Sequence, residues 1–184
     1  MLDFNFVLKL SERDTDINFH LGLLYTIPFV MGAETIVELG SGQSTYVLAA
    51  VASMLKADFY SIDLYENSHL RSFPEGEGLL EQESCYHKII GDDMEIIKTW
   101  ENPIDFLFLD TSHTYEHTKE ELNSWTTYIK AGGVLAMHDT NHTDPISKGC
   151  RIALEEFLEE NKNYKAIHFP NRFGFSILKK KEGH

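Results

Sequence analysis

The chain alternates short apolar runs with segments whose apolar residues recur every three or four positions. Short apolar runs of this kind predict strands that are buried on both faces, and hence a parallel sheet. The runs are TIVELG (35–40), DFYSIDL (58–64), YHKIIGD (86–92), IDFLFLD (104–110) and GVLAMHD (133–139). The last four carry an aspartate at or next to their carboxyl ends.

The segments between these runs predict helices with one apolar face. Three such faces are formed by Val47, Leu48, Val51, Met54 and Leu55, by Tyr115, Thr118, Leu122, Trp125 and Ile129, and by Cys150, Leu154, Phe157 and Leu158. A further helix is predicted over 19–31, with Pro28 as its weak point. The final stretch YKAIHFPNRFGFSILKK has no room for a helix between its apolar runs, so it predicts a hairpin that turns near 170–172.

This order of elements predicts an α/β fold. We expect a doubly wound, mostly parallel seven-stranded sheet with helices on both faces and a C-terminal antiparallel hairpin. The length of 184 residues favours one domain over 1–184. Within it, 1–17 is an N-terminal extension, and 65–84 is polar enough for either a lid over the site or an ordinary surface loop.

Charge and composition narrow the class of partner. The net charge of −13 counts against nucleic acid, because binding it requires Lys and Arg on the phosphates. Cys85 and Cys150 stand far apart, which favours a reducing compartment. The segment MLDFNFVLKLSERD lacks the features of a signal peptide, and no stretch approaches the ~20 apolar residues of a membrane span. We therefore expect a cytoplasmic protein with a small-molecule substrate and no membrane partner, and a homo-oligomer stays open.

Five acids stand at the carboxyl ends of the predicted strands. In doubly wound folds, ligands bind outside these ends, near the point where the strand order reverses. One acid alone could be a turn residue or a helix cap. Five along one edge predict a ligand site, and they are Glu38, Asp63, Asp92, Asp110 and Asp139.

The glycine loop ELGSGQST narrows the choice of ligand. Gly40 permits a tight turn and Gly42 lets the backbone approach a ligand closely. The G-K-[ST] of a P-loop is missing. A dinucleotide fold could use Asp63 for ribose hydroxyls, but Glu38 would lie close to the pyrophosphate, and Thr45 replaces the third glycine. A cationic ligand without phosphate, such as S-adenosylmethionine, suits this loop better.

Taken with SIDL, IIGDD, LDTSHTYE and AGGVLAMHD, this loop resembles the class I S-adenosylmethionine-dependent methyltransferases, and within them small O-methyltransferase-like members with D-x-x-H-x-Y-E and G-G-x-x-x-x-H-D motifs. The resemblance covers about 18–179. It implies a Rossmann-like methyltransferase fold and methyl transfer to a small molecule, through a hydroxyl oxygen. It also implies that the cofactor is bound by Glu38, Gly40, Ser41, Gly42, Asp63, Asp92 and Asp110.

Two routes could remove the proton from a hydroxyl acceptor. His113, on the loop after the fourth strand, is a candidate base, although it could instead cap the helix that starts near Thr114. Asp110 and Asp139 offer hard oxygen ligands for Mg²⁺ or a similar ion. Related metal-dependent O-methyltransferases have Asp or Asn directly after the second aspartate, where this chain has Thr140. His138, Asn141 and His142 could complete a site, and histidines would favour a transition metal.

Other histidines and other functions remain as alternatives. His117 and His142 are expected at the surface, and His138 is either a buried structural histidine or part of the site. An NAD-dependent oxidoreductase is the second function considered, and a non-catalytic cofactor-binding module of the same fold is the third. The catalytic candidates are therefore His113, Asp110 and Asp139.

Overall fold

The computed structural model describes residues 4–66, 78, 80, 83–142 and 148–183. In this part of the chain a 7-stranded sheet has the order β3-β2-β1-β4-β5-β7-β6. Strands β1 to β5 pair in parallel, and β7 is antiparallel to both β5 and β6. The strands are β1 Thr35–Leu39, β2 Asp58–Asp63, β3 Tyr86–Ile90, β4 Ile104–Leu109, β5 Ile129–His138, β6 Tyr164–Phe169 and β7 Phe175–Lys180. The predicted α/β sheet with a terminal hairpin is confirmed.

The described helices connect these strands. They are α1 Phe4–Ser11, α2 Leu21–Met31, α3 Gln43–Leu55, α4 Asp93–Ile96, α5 Tyr115–Trp125 and α6 Gly149–Glu160, with 3-10 turns at Ile97–Thr99 and Thr126–Tyr128. Pro28 does not end α2, which continues to Met31 and terminates at Gly32 with a φ of 65°. Pro28 lacks the N–H that would donate to Leu24, so α2 contains this proline with one bond of its ladder missing.

Two elements differ from the prediction. The N-terminal segment contains α1, whose Val7 and Leu10 are buried against the core. Strand β5 begins at Ile129 rather than near 133, because α5 ends at Trp125 and the chain pairs Ile129 with Ile104 of β4. A register irregularity between Ile104 and Phe106 separates this early pair from the regular ladder.

The central strands β1 and β4 are buried on both faces, as their apolar runs predict, whereas the outer strands β3 and β6 are partly exposed. In β4, Phe106 and Phe108 pack with the helices α1 to α3, while Leu107 and Leu109 pack with α5 and α6 on the opposite face. This alternation follows from the two-residue period of a strand. Because neither face of these central strands meets water, a ligand site is expected at the edge where the carboxyl ends of the parallel strands meet.

The strand order places a candidate site at this edge. From β1 the chain proceeds to β2 and β3 on one side, and then crosses to β4 and β5 on the other. The reversal therefore lies between β1 and β4, where a crevice is expected. The predicted lid 65–84 lies almost wholly outside the described residues. Every described helix is too short or too polar to cross a membrane.

Candidate active site

A cavity of about 680 Å³ opens at the reversal between β1 and β4. Its wall is built from the segments that follow β1, β2, β3 and β4, together with one residue of α5, His117. Five of the predicted cofactor residues line it, namely Gly40, Ser41, Asp63, Asp92 and Asp110. The volume lies within the range of small-molecule sites. The edge at which a ligand site was predicted therefore contains a cavity.

The glycine loop is shaped by a close approach between two strand ends. Gly40 has a φ of 85°, and a Cβ at this position would overlap the carbonyl oxygen of Asp110. The backbone N–H of Asp110 donates to Leu39 (2.9 Å), which brings β4 alongside the loop. A side chain at residue 40 would push β4 and the cavity wall apart, so glycine is required there.

Thr45, at the position of the missing third glycine, has a structural role at the start of α3. Its Oγ1 accepts a hydrogen bond from the Gly42 N–H (2.9 Å) and donates to Glu38 Oε2 (2.7 Å). One hydroxyl therefore caps the helix and anchors a buried acid. Gly42 is the N-cap of this helix and does not line the cavity, so its contact with the cofactor stays a prediction.

Glu38 lies inside the protein, away from the cavity. Its side chain is fully buried, and it accepts hydrogen bonds from Ser44 Oγ (2.5 Å), Thr45 Oγ1 and Ser61 Oγ (2.7 Å). Burial is the main reason that the pKa of Glu38 is raised to about 7, against the effect of the three hydroxyls. The structure therefore does not place Glu38 against the cofactor, because α3 and β2 enclose it.

Asp63, the last residue of β2, and Asp92, two residues after β3, each contribute one carboxylate to the cavity wall. Asp63 Oδ2 accepts from the backbone N–H and the hydroxyl of Ser41 (2.9 and 2.8 Å), and Oδ1 accepts from the Tyr65 N–H (3.0 Å). Asp92 caps α4 by accepting from the Met94 N–H (2.9 Å). Both carboxylates are oriented by neutral donors, which leaves their negative charge uncompensated by these partners.

Asp110 also belongs to a group of five residues that we call the histidine–aspartate cluster. Its members are Asp110, His113, His138, Asp139 and His142. Asp139 is its centre. Asp139 Oδ2 lies 2.8 Å from His113 Nε2 and 3.2 Å from His138 Nδ1, and Oδ1 lies 3.0 Å from His142 Nε2. His138 Nδ1 also lies 3.7 Å from Asp110 Oδ1. Asp110 thus belongs both to the cavity wall and to this cluster.

Burial and the neighbouring charged groups together determine the pKa values of these residues. The hydrogen bond to Asp139 raises the pKa of His113 above its ordinary value, and partial burial opposes this. Burial lowers the pKa of His138, but the carboxylates of Asp110 and Asp139 outweigh it and raise that pKa to about 10. Burial would raise the pKa of Asp139, yet His113 and His138 hold it well below its usual range. The cluster therefore stabilises an ionised Asp139 next to a protonated His138.

Asp139 and His113 differ in exposure, and Asp139 has an unusual backbone conformation. Asp139 directly follows β5 with a φ of 57°, a left-handed conformation that non-glycine residues seldom adopt. Its side chain is 4% exposed, whereas that of His113 is 42% exposed. A buried acid therefore holds an imidazole that solvent or a substrate can reach. The His142 ring stacks on Phe173 with centroids 4.1 Å apart, which connects the cluster to the hairpin.

A second group of charged residues lies at the cavity wall, and the sequence patterns did not indicate it. His117 was expected at the surface, but its ring lines the cavity between two carboxylates. His117 Nε2 lies 3.2 Å from Asp93 Oδ1 and 3.4 Å from Glu121 Oε1. The carboxylate of Asp93, followed by that of Glu121, raises the pKa of His117 to about 10. The i, i+4 spacing of His117 and Glu121 was the available signal.

The chain is similar to methyltransferases both in its sequence profile and in its fold. Residues 37–140 match the sequence profile of a family described as a methyltransferase domain. An O-methyltransferase from Bacillus cereus, solved in complex with S-adenosylhomocysteine (SAH), is 17% identical and superposes with a TM-score of 0.73, covering 96% of this chain and 90% of that one. The SAH-bound methyltransferase PaMTH1 from Podospora anserina is 18% identical, with a TM-score of 0.70 and coverages of 96% and 88%.

A third solved structure is the O-methyltransferase TomG from Streptomyces achromogenes, which is involved in tomaymycin synthesis and was solved with S-adenosylmethionine. It is 17% identical, with a TM-score of 0.68 and coverages of 89% and 80%. At these identities the structural likeness establishes a shared fold. The matched family residues 37–140 include the cavity wall described above, as well as His113 and Asp139.

Proposed function

This chain belongs to the methyltransferase-domain family, and we propose that it transfers the methyl group of S-adenosylmethionine to a hydroxyl oxygen of a small molecule. One observation carries the proposal. Asp110 joins an acidic cavity to a cluster that holds an exposed histidine against a buried aspartate. A methyl donor in the cavity and a proton acceptor in the cluster would then lie on the two sides of Asp110.

The electrostatics of the cavity favour this cofactor over a dinucleotide. Its described wall contains the carboxylates of Asp63, Glu66, Asp92, Asp93 and Asp110 and no lysine or arginine. A pyrophosphate would be repelled there, while the sulfonium and amino groups of S-adenosylmethionine would be attracted. This argument, with the family assignment, disfavours the NAD-dependent alternative.

The five predicted cofactor residues of the cavity wall each have a role in this proposal. The Gly40–Ser41 backbone receives the methionine part, and the missing side chain of Gly40 lets this loop lie against Asp110. Asp63 accepts hydrogen bonds from the ribose hydroxyls. Asp92 lies near the adenine amino group, and Asp110 faces the reacting end. Glu38, which is enclosed, supports the loop and does not touch the cofactor.

We assign His113 as the general base and Asp139 as the residue that orients it. The hydrogen bond to Asp139 Oδ2 places the imidazole proton on Nε2, so that Nδ1 is the nitrogen that can accept a proton. The acceptor oxygen forms a bond to the methyl carbon as the carbon–sulfur bond breaks, and its proton passes to Nδ1. S-adenosylhomocysteine leaves with the electron pair on sulfur. Alignment of the reacting atoms supplies much of the rate.

A divalent cation is compatible with the same cluster. Oxygen and nitrogen atoms of Asp110, His113 and Asp139 lie within 4.8 Å of one another, and the nitrogen donor suits a transition metal better than Mg²⁺. A bound cation would orient the acceptor hydroxyl and lower its pKa. Thr140, where related metal-dependent enzymes have Asp or Asn, is instead held by the Ser176 hydroxyl (2.7 Å). This engagement favours His113 as the base.

The proposal is tested by transfer of a labelled methyl group from S-adenosylmethionine to a panel of sugars, phenols, polyketide-like alcohols and small acids. We expect a labelled O-methyl product and S-adenosylhomocysteine in equal amounts, with and without EDTA. Methylation confined to nitrogen or carbon would refute the assignment to oxygen. Activity that EDTA abolishes and a divalent ion restores would replace the His113 mechanism by the cation mechanism.

A further inference from the structure

Three residues at the cavity wall form a group that methyl transfer does not use. We call Asp93, His117 and Glu121 the wall triad. Asp93 begins α4, and the other two residues lie one turn apart on α5. The triad shares no residue with the histidine–aspartate cluster. Asp93 and His117 line the cavity, and Glu121, whose side chain is 1% exposed, lies behind them.

The distances within the wall triad suit a shared ligand better than a direct ion pair. Charge-assisted hydrogen bonds between nitrogen and carboxylate oxygen measure ~2.7–2.9 Å. Here His117 Nε2 lies 3.2 Å from Asp93 Oδ1 and 3.4 Å from Glu121 Oε1. Ligand atoms around a tetrahedral Zn²⁺ with bonds of ~2.0–2.1 Å are about 3.3 Å apart. All three atoms lie within 4.8 Å of one another.

An unsatisfied oxygen provides an independent reason to expect a ligand. Asp93 is 8% exposed, and its Oδ2 is buried without a hydrogen-bond partner among the described residues. Two carboxylates face one imidazole, so one negative charge is left over when both are ionised and His117 is protonated. A buried carboxylate oxygen without a partner is costly. A dication would supply both the missing charge and the missing contact.

We propose that the wall triad binds a divalent transition-metal ion of the Zn²⁺ or Co²⁺ type, with Asp93, His117 and Glu121 as its protein ligands. Mixed nitrogen and oxygen donors suit such ions. Three protein ligands leave a further position for water, and the cavity offers a path of entry. Thr111 Oγ1 donates to Glu121 Oε1 (2.6 Å) and holds this carboxylate in place. The ion would join α4 to α5 beside the cofactor cavity.

The test is a Co²⁺ titration of chelator-treated protein, followed by visible absorption and by the melting temperature. The wild type and the His113→Ala variant are compared with His117→Ala and Asp93→Asn. The control is His87→Ala, which removes a histidine paired with Asp58 (2.9 Å) outside both groups. We expect Co²⁺ to raise the melting temperature of the wild type, His113→Ala and His87→Ala proteins. His117→Ala and Asp93→Asn should each lose about one equivalent of bound ion.

Asp93→Asn guards against a folding defect, since it keeps the shape of the side chain and removes its charge. The proposal is overturned if both variants bind as much Co²⁺ as the wild type, or if only His113→Ala loses an ion. In that case the wall triad is an ion pair of protonated His117. None of these outcomes depends on methyl transfer, because each measurement reports metal binding in the absence of cofactor and acceptor.

Discussion

The carboxylates on the two halves of the sheet edge have different kinds of hydrogen-bond partner. On the β1–β3 side, which ends in Glu38, Asp63 and Asp92, hydroxyls and backbone N–H groups orient the carboxylates. On the β4–β5 side, which ends in Asp110 and Asp139, histidines surround them. Neutral donors fix a carboxylate without cancelling its charge, whereas an imidazole can exchange a proton with its surroundings.

This difference explains how one edge of the sheet can support both cofactor binding and proton transfer. In the proposed function, Asp63 and Asp92 on the β1–β3 side attract the cationic cofactor, and the β4–β5 side takes up the proton that methyl transfer releases. Asp110 belongs to both sides. Substitutions on the β1–β3 side should therefore change binding or stability, and substitutions on the β4–β5 side should change turnover.

The largest effect is expected for His113. His113→Ala should lower turnover by about 10²–10⁴-fold, because the general base is lost, and cofactor affinity should stay near that of the wild type. Asp139→Asn should approach the same loss, and the double variant should lose little more, because Asp139 acts through His113. Single-turnover rates with the acceptor found in the transfer screen measure this. Fully additive losses would show that the two residues act independently.

Glu38→Gln should change the pH dependence of stability. The pKa of Glu38 is 4.5 when unfolded and about 7 when folded, so the folded state binds more protons between these values. The wild type therefore loses stability as pH rises from about 4.5 through 7. The gap between wild type and variant should shift by ~2–3 kcal/mol in favour of Glu38→Gln from pH 5 to 8. Urea unfolding at both pH values checks this, and a constant gap would contradict it.

On the β1–β3 side, Asp63→Asn should weaken S-adenosylhomocysteine binding by about 10- to 100-fold, since charge-assisted hydrogen bonds to the ribose are lost. The matched control is Asp58→Asn, at the opposite end of the same strand, which should bind normally. Calorimetric titration measures both. Equal binding by Asp63→Asn and the wild type would remove Asp63 from the ribose site.

The smallest effect is expected for His142→Asn. His142 contacts Asp139 Oδ1, while His113 contacts Oδ2. Losing this contact should lower turnover by about 2- to 10-fold, which corresponds to one modest hydrogen bond. A loss as large as that of His113→Ala, measured in the same assay, would make His142 the better candidate for the base.

The periodicity of the chain predicted most of the fold, because strands buried on both faces and amphipathic helices leave clear local patterns. It missed α1, whose burial of Val7 and Leu10 depends on α2 and α3. It also placed Ile129 on a helix, because the residue follows the apolar spacing of α5. Its role as the first residue of β5 is decided by pairing with Ile104.

The site was predictable where it depends on strand ends, as for Asp63, Asp92, Asp110 and Asp139. That Glu38 lies outside the cavity wall was not predictable, because its environment is not local. Its hydroxyl partners come from α3 and from Ser61, which faces it across the β1–β2 register. His117 and Asp93 are distant in sequence and meet only because α4 packs beside α5. Long-range contacts of this kind leave no periodic pattern in the chain.

The most direct test of the account is a calorimetric titration of S-adenosylhomocysteine and of NAD into the wild type, Asp63→Asn and His113→Ala proteins. We predict that the wild type binds S-adenosylhomocysteine and not NAD, that His113→Ala binds it with unchanged affinity, and that Asp63→Asn binds it about 10- to 100-fold more weakly. Binding of NAD alone, or a loss of affinity in His113→Ala as large as that in Asp63→Asn, would contradict the division of the strand edge into a binding side and a proton-transfer side.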